Sequence, residues 1–260
     1  MTSDPSKKLA ALLKKLRHAY ADTECAPCEE ILELDRIATQ FVYSMMLWET
    51  NASHARTACR KLAESFADAN ELRVAFDDEI AHAIGDKYPM GLERAGRLRA
   101  GLNDIYQRFH AVTLAPLAEL GKRESRQQLD SLEGVPGFVA ARVASICLGC
   151  HAIPVDERLR ALLTDEGIAD EVSNVESVQH WLERSIPAEE GPAVLLLLNH
   201  WSDEKGQAPR REAKPAPKPA ASAAKRDAKK AEVAPAASKG GKKTVGRTTK
   251  GRGSNGEDKA

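Results

Sequence analysis

The sequence predicts an all-α protein: a body of helices followed by a disordered basic tail. Three observations carry that reading. Apolar residues recur at helical spacing from the first residues to about Trp201, and no stretch alternates apolar with polar as a strand would. Aromatics make up only 5% of the chain and charged residues 29%, which suits helices better than a β-sandwich. From about Asp203 the composition turns to Ala, Pro, Lys and Gly, with Val233 and Val245 the only larger aliphatics. Such a segment buries too little apolar surface to offset the entropy of ordering it.

The helices follow in order, about ten in all. "SKKLAALLKKLRHAYA" is amphipathic, with its basic residues on the wet face. After a turn holding Cys25 and Cys28, "EEILELDRIATQFVYSMMLWE" carries a strongly apolar stripe. Ser53 is the expected cap of "HARTACRKLAESFA". "DDEIAHAIG" ends at Gly85, and "GLERAGRLRAGLNDIYQRFH" is long and arginine-rich. "RESRQQLDSL" leads into a glycine-bearing turn, and "VAARVASICLG", "DERLRALLTDEG", "NVESVQHWLERS" and "GPAVLLLLNHW" follow.

Charge is distributed unevenly. Residues 205–260 hold 16 Lys and Arg against 5 Asp and Glu, a net of +11, so the neutral total leaves −11 on the body. The tail is therefore expected to meet a polyanion, each lysine near a phosphate adding sequence-independent affinity. No apolar run reaches the ~20 residues that span a bilayer, and no secretory signal is expected at the N-terminus. The reading is a soluble, intracellular (cytoplasmic or nucleoid) monomer with no membrane partner. The five cysteines include two C-x-x-C pairs, Cys25/Cys28 and Cys147/Cys150. Together they have the spacing of a tetrahedral zinc site; singly they read as small buried hydrophobes.

The informative stretch is "LEGVPGFVAARVASICLGCHAIPVD", residues 132–156. A glycine turn before a helix points backbone N–H groups and the positive end of the helix dipole outward, where a phosphate fits. Asp156 follows the apolar loop "HAIPV" and opens the next helix. It reads either as a plain N-cap or as a carboxylate held at a fixed distance behind a phosphate grip.

This layout resembles the helix-hairpin-helix (HhH-GPD) base-excision DNA glycosylases of the endonuclease III and MutY kind. Their hairpin has the form L-P-G-V-G, followed by a helix, an L/F-G pair and a loop ending in V-D or L-D. Leu132, Gly134, Val135, Gly149, Val155 and Asp156 fall on family positions without a gap. "NVESVQHWLERSIPAE", "LLLLNHW", "IATQFVYSMMLWETNASHARTACRKL" and "YPMGLERAGRL" resemble flanking segments, so the likeness runs from about residue 30 to 203. The resemblance implies a two-lobed helical fold with a cleft between the lobes. Residues 1–30 would pack with the C-terminal lobe, 31–150 form the barrel lobe with the hairpin, 151–203 the C-terminal lobe and 204–260 the tail.

It implies further that the partner is duplex DNA with a damaged or mismatched base, and that Asp156 is catalytic. A base flipped from the duplex loses its N-glycosidic bond while a carboxylate stabilises the oxocarbenium-like sugar and orients water. DNA contacts are expected from the hairpin residues Gly134, Val135, Gly137, Phe138 and Val139, from Arg142, and from Arg94 near the family's K-A pair. Thr50 and Asn51 are also expected there. They lie in "WETNAS", where the family's strand-inserting glutamine sits, and Trp48 or Glu49 are further candidates for the gap.

The chain departs from the family in four places. The lysine of the bifunctional members falls on Phe138, or on Ala141 if the hairpin is read as "VPGFV", and no lysine occurs between Lys122 and Lys205. Lyase chemistry is therefore not expected. The second hairpin glycine becomes Pro136 (or Val139), and proline has no N–H to offer a phosphate. Glu157-Arg158 stands for Thr-His. No cysteine follows Cys150, so no iron–sulfur cluster and no other cofactor is expected. His110, His151, His180 and His200 show no metal spacing and read as structural. The expected activity is a monofunctional DNA N-glycosylase; the alternative is a DNA-binding protein that kept the fold and lost the chemistry.

Overall fold

The computed structural model describes residues 4–20 and 31–205. They form eleven α-helices and one short 3-10 helix, with no strand among the described residues. The helices gather around two apolar cores. One is built by α2 (Arg36–Leu47), α3 (Ala52–Ser65), α4 (Ala69–Val74), α5 (Asp77–Ile84), α6 (Gly91–Phe109), α7 (Lys122–Asp130) and α8 (Gly137–Cys147). The other is built by α1 (Pro5–Ala19), α9 (Glu157–Asp165), α10 (Val175–Ser185) and α11 (Gly191–Lys205). The chain thus enters in the second lobe, completes the first, and returns.

α2 is the axis of the first lobe. Every residue from Ile37 to Leu47 is buried, as a helix apolar on all sides requires. Asp35 sets its start: one carboxylate oxygen accepts from the N–H of Ile37 (2.8 Å) and Ala38 (3.0 Å), and the other from the Thr113 hydroxyl and the Leu114 N–H. The helix therefore begins at Arg36, later than its apolar stripe suggests. Leu32 and Glu33 before it have φ near +55° and cannot continue a helix backwards.

Two further differences from the sequence reading have local causes. Asn51, not Ser53, caps α3: its backbone is extended and its side chain accepts from the His54 N–H at 2.9 Å, while Ser53 already lies inside the helix. The six-residue α4 and the 3-10 turn Ala115–Glu119 are too short to show a helical period.

The hairpin between α7 and α8 is fixed from beneath by α6. Arg97 Nη1 donates to the Gly134 carbonyl (3.1 Å), Asp104 Oδ2 accepts from the Glu133 N–H (2.9 Å), and Arg108 Nη2 donates to the Ser131 carbonyl (2.8 Å). Gly101 lets the turn come this close, since a Cβ there would meet Phe41 Cζ at 2.9 Å and Val135 at 3.2 Å. Gly134 has φ +71°, a conformation costly for any residue with a Cβ.

Candidate functional site

Asp156 is the N-cap of α9 and is 4% exposed. Its Oδ1 accepts from the Leu159 N–H at 2.8 Å, and its Oδ2 accepts from the Glu49 N–H at 3.3 Å. The plain-cap and functional readings of this residue are compatible in space. Capping fixes the carboxylate, and the carboxylate lines a pocket between the two lobes together with Gln40, Tyr43, Phe138, Arg142 and Asp203.

Three strands of polar contact close the lobes beside this pocket. Glu49, held at φ +57° between α2 and α3, accepts at Oε1 from the Glu157 N–H (3.0 Å). Arg158 donates to the carbonyls of Thr50 and Ser202, which brings the α2–α3 loop, α9 and α11 to one point. Asp203 accepts from the Ala52 N–H at 3.2 Å.

The carboxylates here do not have their ordinary acidity. Burial pushes Glu49 up, the negative charge of Asp156 adds to it, and the Glu157 N–H only partly offsets them, leaving Glu49 at about 7. Burial also raises Asp156 above the usual carboxylate range, against the pull of the Leu159 N–H, Arg158 and the Glu49 N–H. Asp203 is raised by burial in the same way, against the Ala52 N–H.

At the hairpin, Pro136 caps α8 and Gly137 and Phe138 are its first two residues. The backbone N–H groups of Gly137 and Phe138 have no backbone acceptor among the described residues. Gly137 is exposed, and nothing lies within 4 Å of where its Cβ would be. Two donors and a helix dipole therefore face outward, although Pro136 contributes no N–H. Gly134 and Val135 are partly exposed on the same turn. Phe138 turns inward, is 6% exposed, and lines the pocket.

Several residues expected to contact DNA are buried or already engaged, and two of them, Thr50 and Arg142, line the pocket. Arg94 has no exposed surface: its guanidinium donates to the carbonyls of Met45, Met46, Trp48 and Pro89, satisfying the free end of α2 instead of a phosphate. Val139 is fully buried and its N–H already bonds the Pro136 carbonyl at 2.9 Å, so neither side chain nor amide is offered to DNA. Arg142 is 4% exposed, with its guanidinium 5.7 Å over the Tyr43 ring; it faces the pocket, not an outer surface. Thr50 is buried, with its hydroxyl 3.3 Å from His54 Nδ1, and Asn51 is occupied as a cap. Trp48 is a core aromatic. Glu49, considered in the sequence only as a gap filler, is instead the buried partner of Asp156.

Cys147 and Cys150 lie at the end of α8, partly buried, and burial raises both thiols; Cys150 Sγ donates to the Lys122 carbonyl at 3.3 Å. Cys25, Cys28 and the basic tail lie outside the described residues. Among the described residues no group of three or more His, Cys, Asp or Glu is arranged to hold a metal ion, and no helix is long and apolar enough to cross a membrane. An iron–sulfur cluster held by four cysteines after the last helix does not fit this chain, whose sequence has no cysteine beyond Cys150.

No protein-family model matches the sequence, and no curated protein sequence matches it. Its fold nevertheless matches solved structures. A trapped endonuclease III–DNA covalent intermediate superposes with a TM-score of 0.60 at 16% identity, over 81% of this chain and 92% of that one. The 8-oxoguanine glycosylase/lyase of Clostridium acetobutylicum bound to double-stranded DNA gives 0.57 at 15% identity, over 77% and 69%. A thermostable thymine-DNA glycosylase gives 0.53 at 16%, over 79% and 90%. The fold is the all-helical, two-lobed HhH-GPD fold of these glycosylases.

Proposed function

We propose that this chain is a DNA base-excision-repair protein, a monofunctional DNA N-glycosylase that releases a flipped, damaged base. One observation carries the reading: Asp156, fixed by two backbone N–H groups, lines the interlobe pocket together with Phe138 and Arg142 of α8. The outward N–H groups of Gly137 and Phe138 would take a backbone phosphate and set the register of the strand without reading its sequence. The target nucleotide would then leave the stack and enter the pocket. As the bond from C1′ to the base nitrogen breaks, the sugar gains positive charge, which the Asp156 carboxylate stabilises. The base nitrogen keeps the electron pair of the broken bond; water adds its oxygen to C1′, one of its hydrogens stays in the new C1′ hydroxyl, and the other passes as a proton to Asp156 and from there to the departing base.

The resemblance puts the Schiff-base lysine of the bifunctional glycosylases on Phe138 or, in the other hairpin frame, on Ala141, and neither carries an amine, so water is the assigned nucleophile. The lesion-specific contacts would come from Gln40, Tyr43, Arg142 and Asp203, which line the same pocket.

Pro136 favours a second reading, a DNA-binding protein without catalysis, because it removes one donor from the phosphate grip. A panel of duplexes carrying different damaged and mismatched bases separates the two. Base release from at least one lesion supports the glycosylase; gel-shifted complexes with no release from any lesion support the binder.

A further inference from the structure

The buried pair formed by Glu49 and Asp156 is asymmetric. Asp156 has an N–H donor on each oxygen, from Leu159 and Glu49, and sits on the positive end of α9 with Arg158 close by. Glu49 has one donor, the Glu157 N–H on Oε1, and its Oε2 is buried without any hydrogen-bond partner. An ionised carboxylate is stabilised by N–H donors and penalised by an orphaned buried oxygen. Two carboxylates this close do not both ionise readily, so the pair retains one proton over a wide pH range. The charged groups facing Glu49 are Asp156, Glu157 and Arg158 from α9 and Arg94 from α6. Two cations and two anions leave no net charge large enough to force Glu49 into its ionised form.

We propose that Glu49 is a positioning residue for Asp156: it carries the proton that the pair shares, on Oε2, and so leaves the negative charge on Asp156 at the pocket. The same side chain also holds α9 in place through Oε1. The role in catalysis rests on the glycosylase reading above; the proton's location does not. Burial beside Asp156 places Glu49's own ionisation at about 7, so near neutral pH the second charge begins to appear.

The experiment compares the full chain with its Glu49→Gln variant, which keeps an acceptor for the Glu157 N–H and cannot ionise. Between pH 4.5, the ordinary glutamic acid value, and about 7, native Glu49 holds a proton that unfolded Glu49 has released. Its contribution to stability is therefore full at low pH and lost as pH rises through about 7. The melting temperature of Glu49→Gln, relative to the natural chain, should rise by about 5 °C between pH 5 and pH 8 and then level off. Parallel melting curves across that range would overturn the proposal. If the variant does not fold, carboxyl-carbon NMR of the natural chain decides: a Glu49 midpoint near 7 supports it and one near 4.5 overturns it. On a duplex the natural chain processes, the acid limb of base release should stay in place in Glu49→Gln, because Glu49 is already neutral there, and any change in rate near pH 7 that follows Glu49's own ionisation should be lost. Diverging melting curves with no base release from any lesion would sink the glycosylase reading and leave the proton on Glu49; base release with parallel curves would do the reverse.

Discussion

The Glu49 N–H donates to Asp156 Oδ2 at 3.3 Å across 107 residues of chain, and the residue after Asp156 donates back to Glu49 Oε1 at 3.0 Å. Glu49 belongs to the first lobe and Asp156 to the second, so the geometry of the candidate catalytic carboxylate depends on how the lobes meet. A carboxylate positioned by one lobe alone would move with that lobe. This one is held at the junction, where a flipped base would arrive.

Asp156→Asn should reduce base release by at least about 100-fold, because an amide neither stabilises a developing cation nor accepts a proton. Asparagine is also a good N-cap and removes a buried charge beside Glu49, so the melting temperature should hold or rise. Single-turnover release from a damaged duplex, with a gel shift of the same duplex, checks both halves. Normal release by Asp156→Asn would rule out the mechanism.

Arg94→Ala should cost about 3–5 kcal/mol in urea unfolding, a loss set by unsatisfied carbonyls at the end of α2 and the void left by a fully buried side chain. DNA affinity per folded molecule should stay the same. A loss of affinity without a loss of stability would return Arg94 to the DNA interface.

Much of the fold was legible because periodicity survives burial. α1, α6, α10 and α11 follow from their apolar spacing, and the start of α9 from Asp156 as its N-cap. Arg94 was not legible: an arginine on an amphipathic helix looks the same in sequence whether it meets solvent, a phosphate or the carbonyls of another helix. Glu49 was hidden for a related reason. A buried acid is recognised by its partner, and nothing local to "WETN" points to a residue 107 positions on.

Asp104 should tie hairpin stability to pH. Burial would raise its pKa, but the Arg108 guanidinium and the Glu133 N–H together hold it below the ordinary value. A depressed acid contributes stability above its unfolded pKa and loses it as pH falls through the folded one. Asp104→Asn should therefore cost about 1–3 kcal/mol at pH 7, and the gap to the natural chain should close in strongly acidic buffer. A constant gap at all pH values would mean that Asp104 acts by packing alone.

Deleting residues 205–260 should weaken DNA binding at low salt and flatten the dependence of log affinity on log salt, since those residues carry +11 against −11 on the rest of the chain. The −11 carried by the body would leave the proposed phosphate contact of the hairpin N–H groups short-range, with no long-range attraction behind it. An unchanged affinity and slope would remove the tail from the interface.

Phe138→Lys tests the placement of α8 against the sugar. Phe138 is the second residue of α8 and lines the pocket with Asp156. A lysine there would be desolvated and next to a helix N-terminus, both of which lower its pKa and free its amine as a nucleophile. On a duplex with an abasic site, the variant should form a borohydride-trapped covalent complex that the natural chain does not form. Replacing a phenylalanine that is 6% exposed should cost about 2–4 kcal/mol, so a melting curve must first show the variant folded. A folded Phe138→Lys that binds the duplex and yields no adduct would mean that C1′ does not reach the start of α8, and the proposed attack of water at C1′ beside Asp156 would fall with it.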